Sequence, residues 1–431
     1  MKITFLLHDV YGIGGTIRTT LNLAGALADH HQVEIVSMRR HRTEPRFSID
    51  PRIRLTPLVD TRKGSPDLSD PLHDRPARVF PSAESRYRQY SLLTDARARE
   101  YLRHCDADVL IGTRPGVNVY LARFGPPGAL RIAQEHLSHD AHRKRLRAEL
   151  APHYRRLDAL VTMTEADAAV YRRRMPLPGV RVLAVPNSVP EPQVAPSDGT
   201  AKVVAAGGRL ARGKRYDVLV DAFAVVADKH PDWRLRIYGQ GPERESLARL
   251  IADSGLQDAV RLMGVHAPLE PEFAKASLVA VASDAESFGM TIVEAMRCGV
   301  PVVSTDCPHG PAEIIHDGVD GRLVPVRDAP ALAKALIQLI EDEHGRRRMA
   351  ATARTNAARF DPALVAERYG ALFVELDGTR GERARARARG AARARVRDVL
   401  RWLRLLGAAR WAAGHLRRVA RAGRKRPATP D

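Results

Sequence analysis

Short apolar blocks alternate with longer amphipathic segments along most of the chain. Lys2–Leu7 and Gln32–Met38 read as strands, with a helix over Thr16–Asp29 between them. A polar, proline-rich stretch from about His41 to Glu84 follows and is read as a surface excursion rather than a packed element. Helical sequence resumes around Tyr90–Arg103. Asp108–Ile111, Leu130–Ala133 and Ala159–Val161 then look like buried strands joined by basic helices. This βαβα order predicts a parallel sheet covered on both faces.

The segment Val185–Thr200, VPNSVPEPQVAPSDGT, has four prolines and no periodicity, the signature of a linker. Beyond it the alternation restarts. Strands are expected at Lys202–Ala206, Arg234–Tyr238, Val260–Met263, Leu278–Val281 and Pro301–Ser304, with helices over Tyr216–Asp228, Glu243–Ser254 and Ala329–Glu341. The pattern predicts an α/β protein of two Rossmann-like, doubly wound parallel-sheet domains facing a cleft. The first spans 1–186 and the second 201–360, joined by a linker over 187–200. A closing helix over 361–378 and an Arg-rich tail over 379–431 complete the chain. Ligands of such sheets sit at the carboxyl ends of the strands.

Charge changes this picture only at one end. The 431 residues carry a formal +19, but residues 380–431 hold sixteen Arg and one Lys against three acids, a net +14. The preceding residues carry only +5. Basicity therefore belongs to the tail, and the tail lacks the interleaved aromatics that stack single-stranded nucleic acid. Val396, Val399, Leu400, Leu403 and Leu406 recur at helical spacing beside Trp402, with Arg397, Arg401 and Arg404 opposite. That stripe fits either a charged extension or a helix lying on an anionic membrane surface, to which residues 380–426 would bind. No apolar run approaches the roughly 20 residues of a membrane span. No signal peptide is visible, and Cys105, Cys298 and Cys307 are odd in number without metal-ligand spacing. The expectation is a cytoplasmic protein, peripheral at the inner membrane face.

Four stretches could carry chemistry. YGIGGTIRTTLNLAGAL opens the first helix with Gly12, Gly14 and Gly15, where free amides can meet an anion. A dinucleotide site would need a third glycine and an acid after the second strand, whereas Arg39 and Arg40 stand there. In GGRLARGKRYDVLVDAF, Arg209 and Lys214 precede a helix and could neutralise a diphosphate, or simply form a solvated basic loop. IYGQGPERESL sets Gly239 and Gly241 at a strand end. In DAESFGMTIVEAMRCGVP, Glu286 and Glu294 flank a turn over Phe288, Gly289, Met290 and Thr291. Thr291 and Glu294 fit a capping box. An ionised carboxylate only accepts hydrogen bonds, so Glu294 also suits a ribose diol and Glu286 another sugar's hydroxyls.

At this point the chain resembles the retaining glycosyltransferases usually called family 4, which have the GT-B fold. The resemblance covers roughly residues 1–376 and is most specific over Gly207-Arg209…Lys214, Gly239-x-Gly241-Pro242, Glu286-x7-Glu294 and Gly310-Pro311-x-Glu313-Ile314-Ile315. It implies that Glu286 contacts the transferred sugar and Glu294 the ribose. By the same resemblance Arg209 and Lys214 stabilise the departing diphosphate, and Gly14 and Gly15 close over the phosphates. It further implies a first-domain histidine near the sugar, for which His136 in IAQEHLSHD is the candidate, with His139 and His142 as competitors. The implied reaction uses a nucleoside-diphosphate sugar, with UDP favoured, as substrate rather than cofactor. It needs no metal, and its acceptor is an envelope polysaccharide, a lipid-linked or another hydroxyl compound. The rival readings are a nucleic-acid- or membrane-binding protein with an idle sugar-nucleotide core, and an NADP oxidoreductase.

Overall fold

A computed structural model describes residues 1–394, which build two parallel sheets. The first contains β1 (Lys2–Leu7), β2 (Gln32–Arg40), β3 (Arg54–Asp60), β4 (Val109–Gly112), β5 (Leu130–Glu135), β6 (Ala159–Thr162) and β7 (Arg181–Ala184). Their order is β3-β2-β1-β4-β5-β6-β7. The second contains β8 (Val203–Gly207), β9 (Arg234–Tyr238), β10 (Val260–Gly264), β11 (Leu278–Val281), β12 (Val302–Thr305) and β13 (Gly321–Val324), in the order β10-β9-β8-β11-β12-β13. Neighbouring strands pair in parallel throughout both sheets.

The strands are apolar on both faces because helices cover both. In β1, Ile3, Phe5 and Leu7 enter one core while Leu6 enters another. In β8, Val203 and Ala205 face the first of these cores, and Val204 and Ala206 face a third. Burying each large side chain contributes about 1.5–3 kcal/mol, so the pattern commits these segments to interior strands.

One expectation is overturned. The 41–84 stretch is not merely a surface excursion, for it contains β3, which pairs with β2 from Glu34↔Arg54 to Arg40↔Asp60. RLTPLVD conceals this strand because Pro57 and its polar residues disguise the alternation, and such residues are tolerated only at a sheet edge. Ala77, Val79 and Phe80, further along the same stretch, are buried, with Phe80 stacked on Tyr90 at 3.6 Å. The four-residue edge strands β7 and β13 also escape detection in the sequence.

The chain crosses between the domains twice. Residues 185–202 carry no strand or helix on the outward path. The return passes through Phe360, and Val189 N donates to Phe360 O at 2.9 Å, so both crossings run side by side. The buried Arg297 ties them, donating to Val189 O at 3.0 Å and to Asp361 Oδ2 at 2.7 Å. Helix Pro362–Gly378 then packs Val365, Tyr369, Leu372, Phe373 and Leu376 into the core that holds Leu23 and Leu27 of helix Gly15–Leu27. Gln134 Nε2 donates to Tyr369 Oη at 2.6 Å.

Helical residues 380–394 continue along the first domain. Arg383 and Arg387 both reach Asp158 Oδ1, at 2.5 and 2.8 Å, and Arg380 reaches Gly128 O at 2.9 Å. These arginines are spent on protein acceptors. The apolar stripe over Val396–Leu406 lies outside the described residues.

Candidate active site

Both sheets reverse strand order next to their first strand, at β1/β4 and at β8/β11. Loops leaving opposite sides of such a point splay apart and leave a crevice. A well-formed cavity of ≈ 660 Å³ lies between the domains. From the first domain it takes Ile13, Gly14, Gly15, Arg18 and Phe47. From the second it takes Arg209 after β8, Tyr238 to Gly241 at the end of β9, Val265–Leu269 after β10, and Met290, Thr291 and Glu294.

Two loops of the second domain are interlocked. Gly208 N donates to Tyr238 O at 2.9 Å, Leu210 N to Gln240 O at 3.0 Å and Glu243 N to Leu210 O at 3.1 Å. Gly239 has φ +147°, and a Cβ on Gly241 would overlap Leu210 O. Glycine is required there because two backbones meet. The zipper leaves Arg209 exposed on the cavity wall, its guanidinium without an ion-pair partner among the described residues.

Helix Met290–Arg297 points its N-terminus at this wall. Gly289, at φ +111°, is its N-cap, so Thr291 lies inside the helix and the expected capping box does not form. The left-handed glycine turn starts the helix two residues earlier than a Thr291 cap would. Glu294 is thereby turned into the cavity. Its carboxylate meets Arg18 Nη1 at 3.1 Å, and Arg18 also pairs with Glu270, whose Oε2 is otherwise without a partner. Burial raises the Glu294 carboxyl to about 7, with Arg18 opposing the shift and Glu270 adding to it. Arg18 thus couples helix Gly15–Leu27 to two carboxylates of the other domain. A second link lies nearby, where Glu313 accepts from the amides of Glu165 and Ala166 at 2.9 and 2.8 Å, at the start of helix Glu165–Arg174.

Lys214 and Glu286 sit in an adjoining recess with Gly207, Gly289 and Thr291, which also lines the main cavity. Lys214 Nζ and Glu286 Oε1 are 2.5 Å apart, and Ser283 Oγ donates to the same oxygen at 2.7 Å. Gly14, Gly15, Arg209, Gly241, Met290, Thr291 and Glu294 therefore share one cavity, with Lys214, Glu286 and Gly289 beside it. Phe288 points instead into the core, edge-on to Phe360. His136 lines a separate small pocket with Thr19, Asn187 and Tyr369, within 3.2 Å of Gln134 Oε1, and burial lowers its pKa to about 4. Glu135 and His142 are 3.1 Å apart in a buried network with Tyr154 and Asn118. Among the described residues no cluster of three or more His, Cys, Asp or Glu could hold a metal ion, and no helix is long and apolar enough to cross a membrane.

Sequence reasoning missed Arg18 and Glu270. Arg18 was present in the glycine motif, one turn into its helix. Glu270 carries no local signal, because only the fold brings it to Glu294.

Residues 190–356 match the family described as Glycosyl transferases group 1. The chain is 34% identical over 395 residues to an exopolysaccharide phosphotransferase of Streptomyces coelicolor, covering 89% of this chain and 41% of that protein. It thus spans about two fifths of that relative's length. It is 25% identical to an uncharacterized glycosyltransferase of Haemophilus influenzae, over 79% of this chain and 91% of that one. In fold it is similar to S. aureus TarM, solved with Fondaparinux, alpha-GlcNAc-glycerol and UDP. The TM-score is 0.69 at 16% identity, over 86% of this chain and 99% of TarM. The chain thus carries a glycosyl transferases group 1 domain, residues 190–356, within a GT-B fold.

Proposed function

We propose that this chain is a retaining glycosyltransferase that moves a sugar from a nucleoside-diphosphate donor, UDP favoured, to a hydroxyl acceptor of the cell envelope or a lipid carrier. One observation carries the reading: Gly14 and Gly15, Arg209, the Gly239–Gly241 loop and Glu294 converge on one interdomain cavity, with the Lys214–Glu286 pair beside it. The UDP bound by TarM and the exopolysaccharide relative support the donor and acceptor classes by similarity.

In this reading the diphosphate lies between Gly14, Gly15 and Arg209. As the sugar–phosphate bond breaks, negative charge grows on the leaving oxygen, and fixed cations in a partly dried cleft stabilise it strongly. Arg209 has no ion-pair partner among the described residues and can take that task. Lys214 is held by Glu286, so the pair is positioned to hand Lys214 to the phosphate while Glu286 accepts from the sugar. Glu294 receives the ribose diol, and the nucleotide shares that carboxylate with Arg18 or displaces it. No metal is needed, since two cations and a helix N-terminus do the neutralising. The acceptor attacks on the face the diphosphate leaves, and His136 would contribute only after a shift that brings it to the cleft. The basic segment beyond 394 would hold the chain to an anionic membrane face.

The test is to incubate the full chain with UDP-, GDP- and ADP-sugars, with and without a chelator, and to follow nucleoside-diphosphate release and binding. Release from one donor class, unchanged by the chelator, is expected. Absence of nucleoside-diphosphate binding to the intact protein would overturn the reading.

A further inference from the structure

Among the described first-domain residues that line the interdomain cavity, Ile13, Gly14, Gly15, Arg18 and Phe47, only Arg18 is charged. Its guanidinium is divided between two partners of the second domain. Nη2 pairs with Glu270 Oε1, and Nη1 meets Glu294 Oε1 at 3.1 Å. Glu270 and Glu294 are each only 5% exposed, so two enclosed carboxylates share one cation. The second oxygen of Glu270, Oε2, is buried without a hydrogen-bond partner among the described residues. A buried acceptor left without a donor is costly. A guanidinium fork is shaped to make two parallel bonds to one carboxylate. The contact with Glu270 is therefore half of such a fork, and the other half is diverted to Glu294.

Arg18 is also tied to the glycine loop. Its amide donates to Gly14 O at 3.1 Å. A Cβ on Gly15 would stand 3.9 Å from Met290 Cγ, at the start of the helix that carries Glu294. The link from Glu313 to the amides of Glu165 and Ala166 joins the domains independently of this contact. A change of partner by the guanidinium therefore leaves the domains connected.

We propose that Arg18 is a positioning residue: it holds the ribose place on Glu294 while the cavity is empty, and passes wholly to Glu270 as a two-bond fork when a ribose diol arrives. The inference rests on the glycosyltransferase reading. The diol supplies Glu294 with the hydrogen bonds that Arg18 gives up, since an ionised carboxylate only accepts and hydroxyls donate. Glu270 Oε2 gains the donor it lacks. Arg18 stays bound to the second domain throughout, so the glycine loop remains over the cavity during the exchange. Glu270 does not line that cavity, yet it governs how well the site tells ribose from a sugar without the diol. Without the Glu270 charge, Arg18 has no second carboxylate to move to and keeps Glu294 from the nucleotide.

The test is calorimetry on the full chain with UDP and with 2′-deoxy-UDP, which lacks one hydroxyl of the diol. The parent should prefer UDP about tenfold or more, the effect of one hydrogen bond to a charged group. Glu270→Gln keeps the shape of the side chain and should bring that preference close to unity. Adding Arg18→Gln to it removes the competitor for Glu294 and should restore the preference. A purely structural part for Glu270 would lower both affinities alike, and a second substitution would not recover them. A crystal structure of the parent with UDP reads the same exchange without any variant: Arg18 should bond both oxygens of Glu270 and neither of Glu294. A guanidinium still on Glu294 in that complex overturns the inference. So does a preference that is absent from the parent, survives Glu270→Gln or stays lost in the double variant, while UDP binding upholds the donor reading. Absence of UDP binding by the parent overturns both.

Discussion

Glu286 and Glu294 stand on one loop and helix, yet their surroundings divide their work. Glu286 shares an oxygen with Lys214 and Ser283, whereas Glu294 faces the cavity against Arg18. Glu286→Gln should abolish transfer and leave UDP binding nearly intact. Glu294→Gln should weaken UDP roughly ten- to hundredfold, the worth of one charge-assisted hydrogen bond at about 1.5–3 kcal/mol. Calorimetry with free UDP separates the two, and equal losses would leave Glu294 only a structural part. The Glu294 carboxyl, raised to about 7, adds a pH signature. A ribose diol donates to the ionised form, so UDP should release protons on binding near neutrality and bind more weakly as pH falls from about 8 to about 6. Titration in buffers of differing ionisation enthalpy reads this directly. The stability sign is opposite. Between the ordinary glutamate pKa of about 4.3 and about 7 the folded state holds a proton that the unfolded chain has lost. This carboxyl therefore favours the native state most at the acid end, and that contribution fades as pH rises through 7.

At the scale of elements, the site depends on backbone meeting backbone. Gly241→Ala would drive a Cβ into Leu210 O and pry apart the loops after β8 and β9. A loss of about 1–3 kcal/mol in stability is expected, with weaker UDP binding, and a thermal melt alongside calorimetry checks both. This dependence explains what the sequence disclosed. Interior strands such as Phe5–Leu7 and Val204–Ala206 were legible because burial on both faces demands unbroken apolar runs. Glycine loops at strand ends were legible because few other residues fit there. Three of the four edge strands were not: β3 contains Pro57, and β7 and β13 are short and only partly buried, whereas β10, also at an edge, was expected. Thr291 and Glu294 have the spacing of a capping box, but Gly289 starts the helix earlier and frees Glu294 for the cavity. Phe288 sits in the same motif yet belongs to the core. Arg18 and Glu270 are 252 positions apart, and no local pattern can announce a pair made only when two domains close.

For the molecule as a whole, the tail begins as structure. Burial would raise the Asp158 carboxyl, but hydrogen bonds from Arg383 and Arg387 outweigh it and hold it below the usual range. Their stabilisation is complete above the unfolded aspartate pKa and is lost as pH falls through the folded value. Truncation after Leu376 removes both arginines and leaves the buried carboxylate with Arg131 at 3.7 Å as its remaining cation, at a cost of about 3 kcal/mol. Truncation after residue 394 spares the pair. The shorter chain should melt early, while the longer should keep its stability and donor hydrolysis and lose co-sedimentation with anionic vesicles. Vesicle binding that survives the second cut would assign membrane contact to the two domains. The double crossing at Val189 and Phe360 has a further result. The second domain is an insertion: residues on either side of it, 1–189 and 361–394, build the first. A protease nick within the proline-rich stretch after Val189 would therefore divide the sequence without dividing the molecule. Tyr369, Phe373 and Leu376 of the downstream fragment would still be seated in the upstream fragment's core. The nicked protein should elute as one particle in native buffer and separate only in denaturant, behaving as a split protein that reassembles itself.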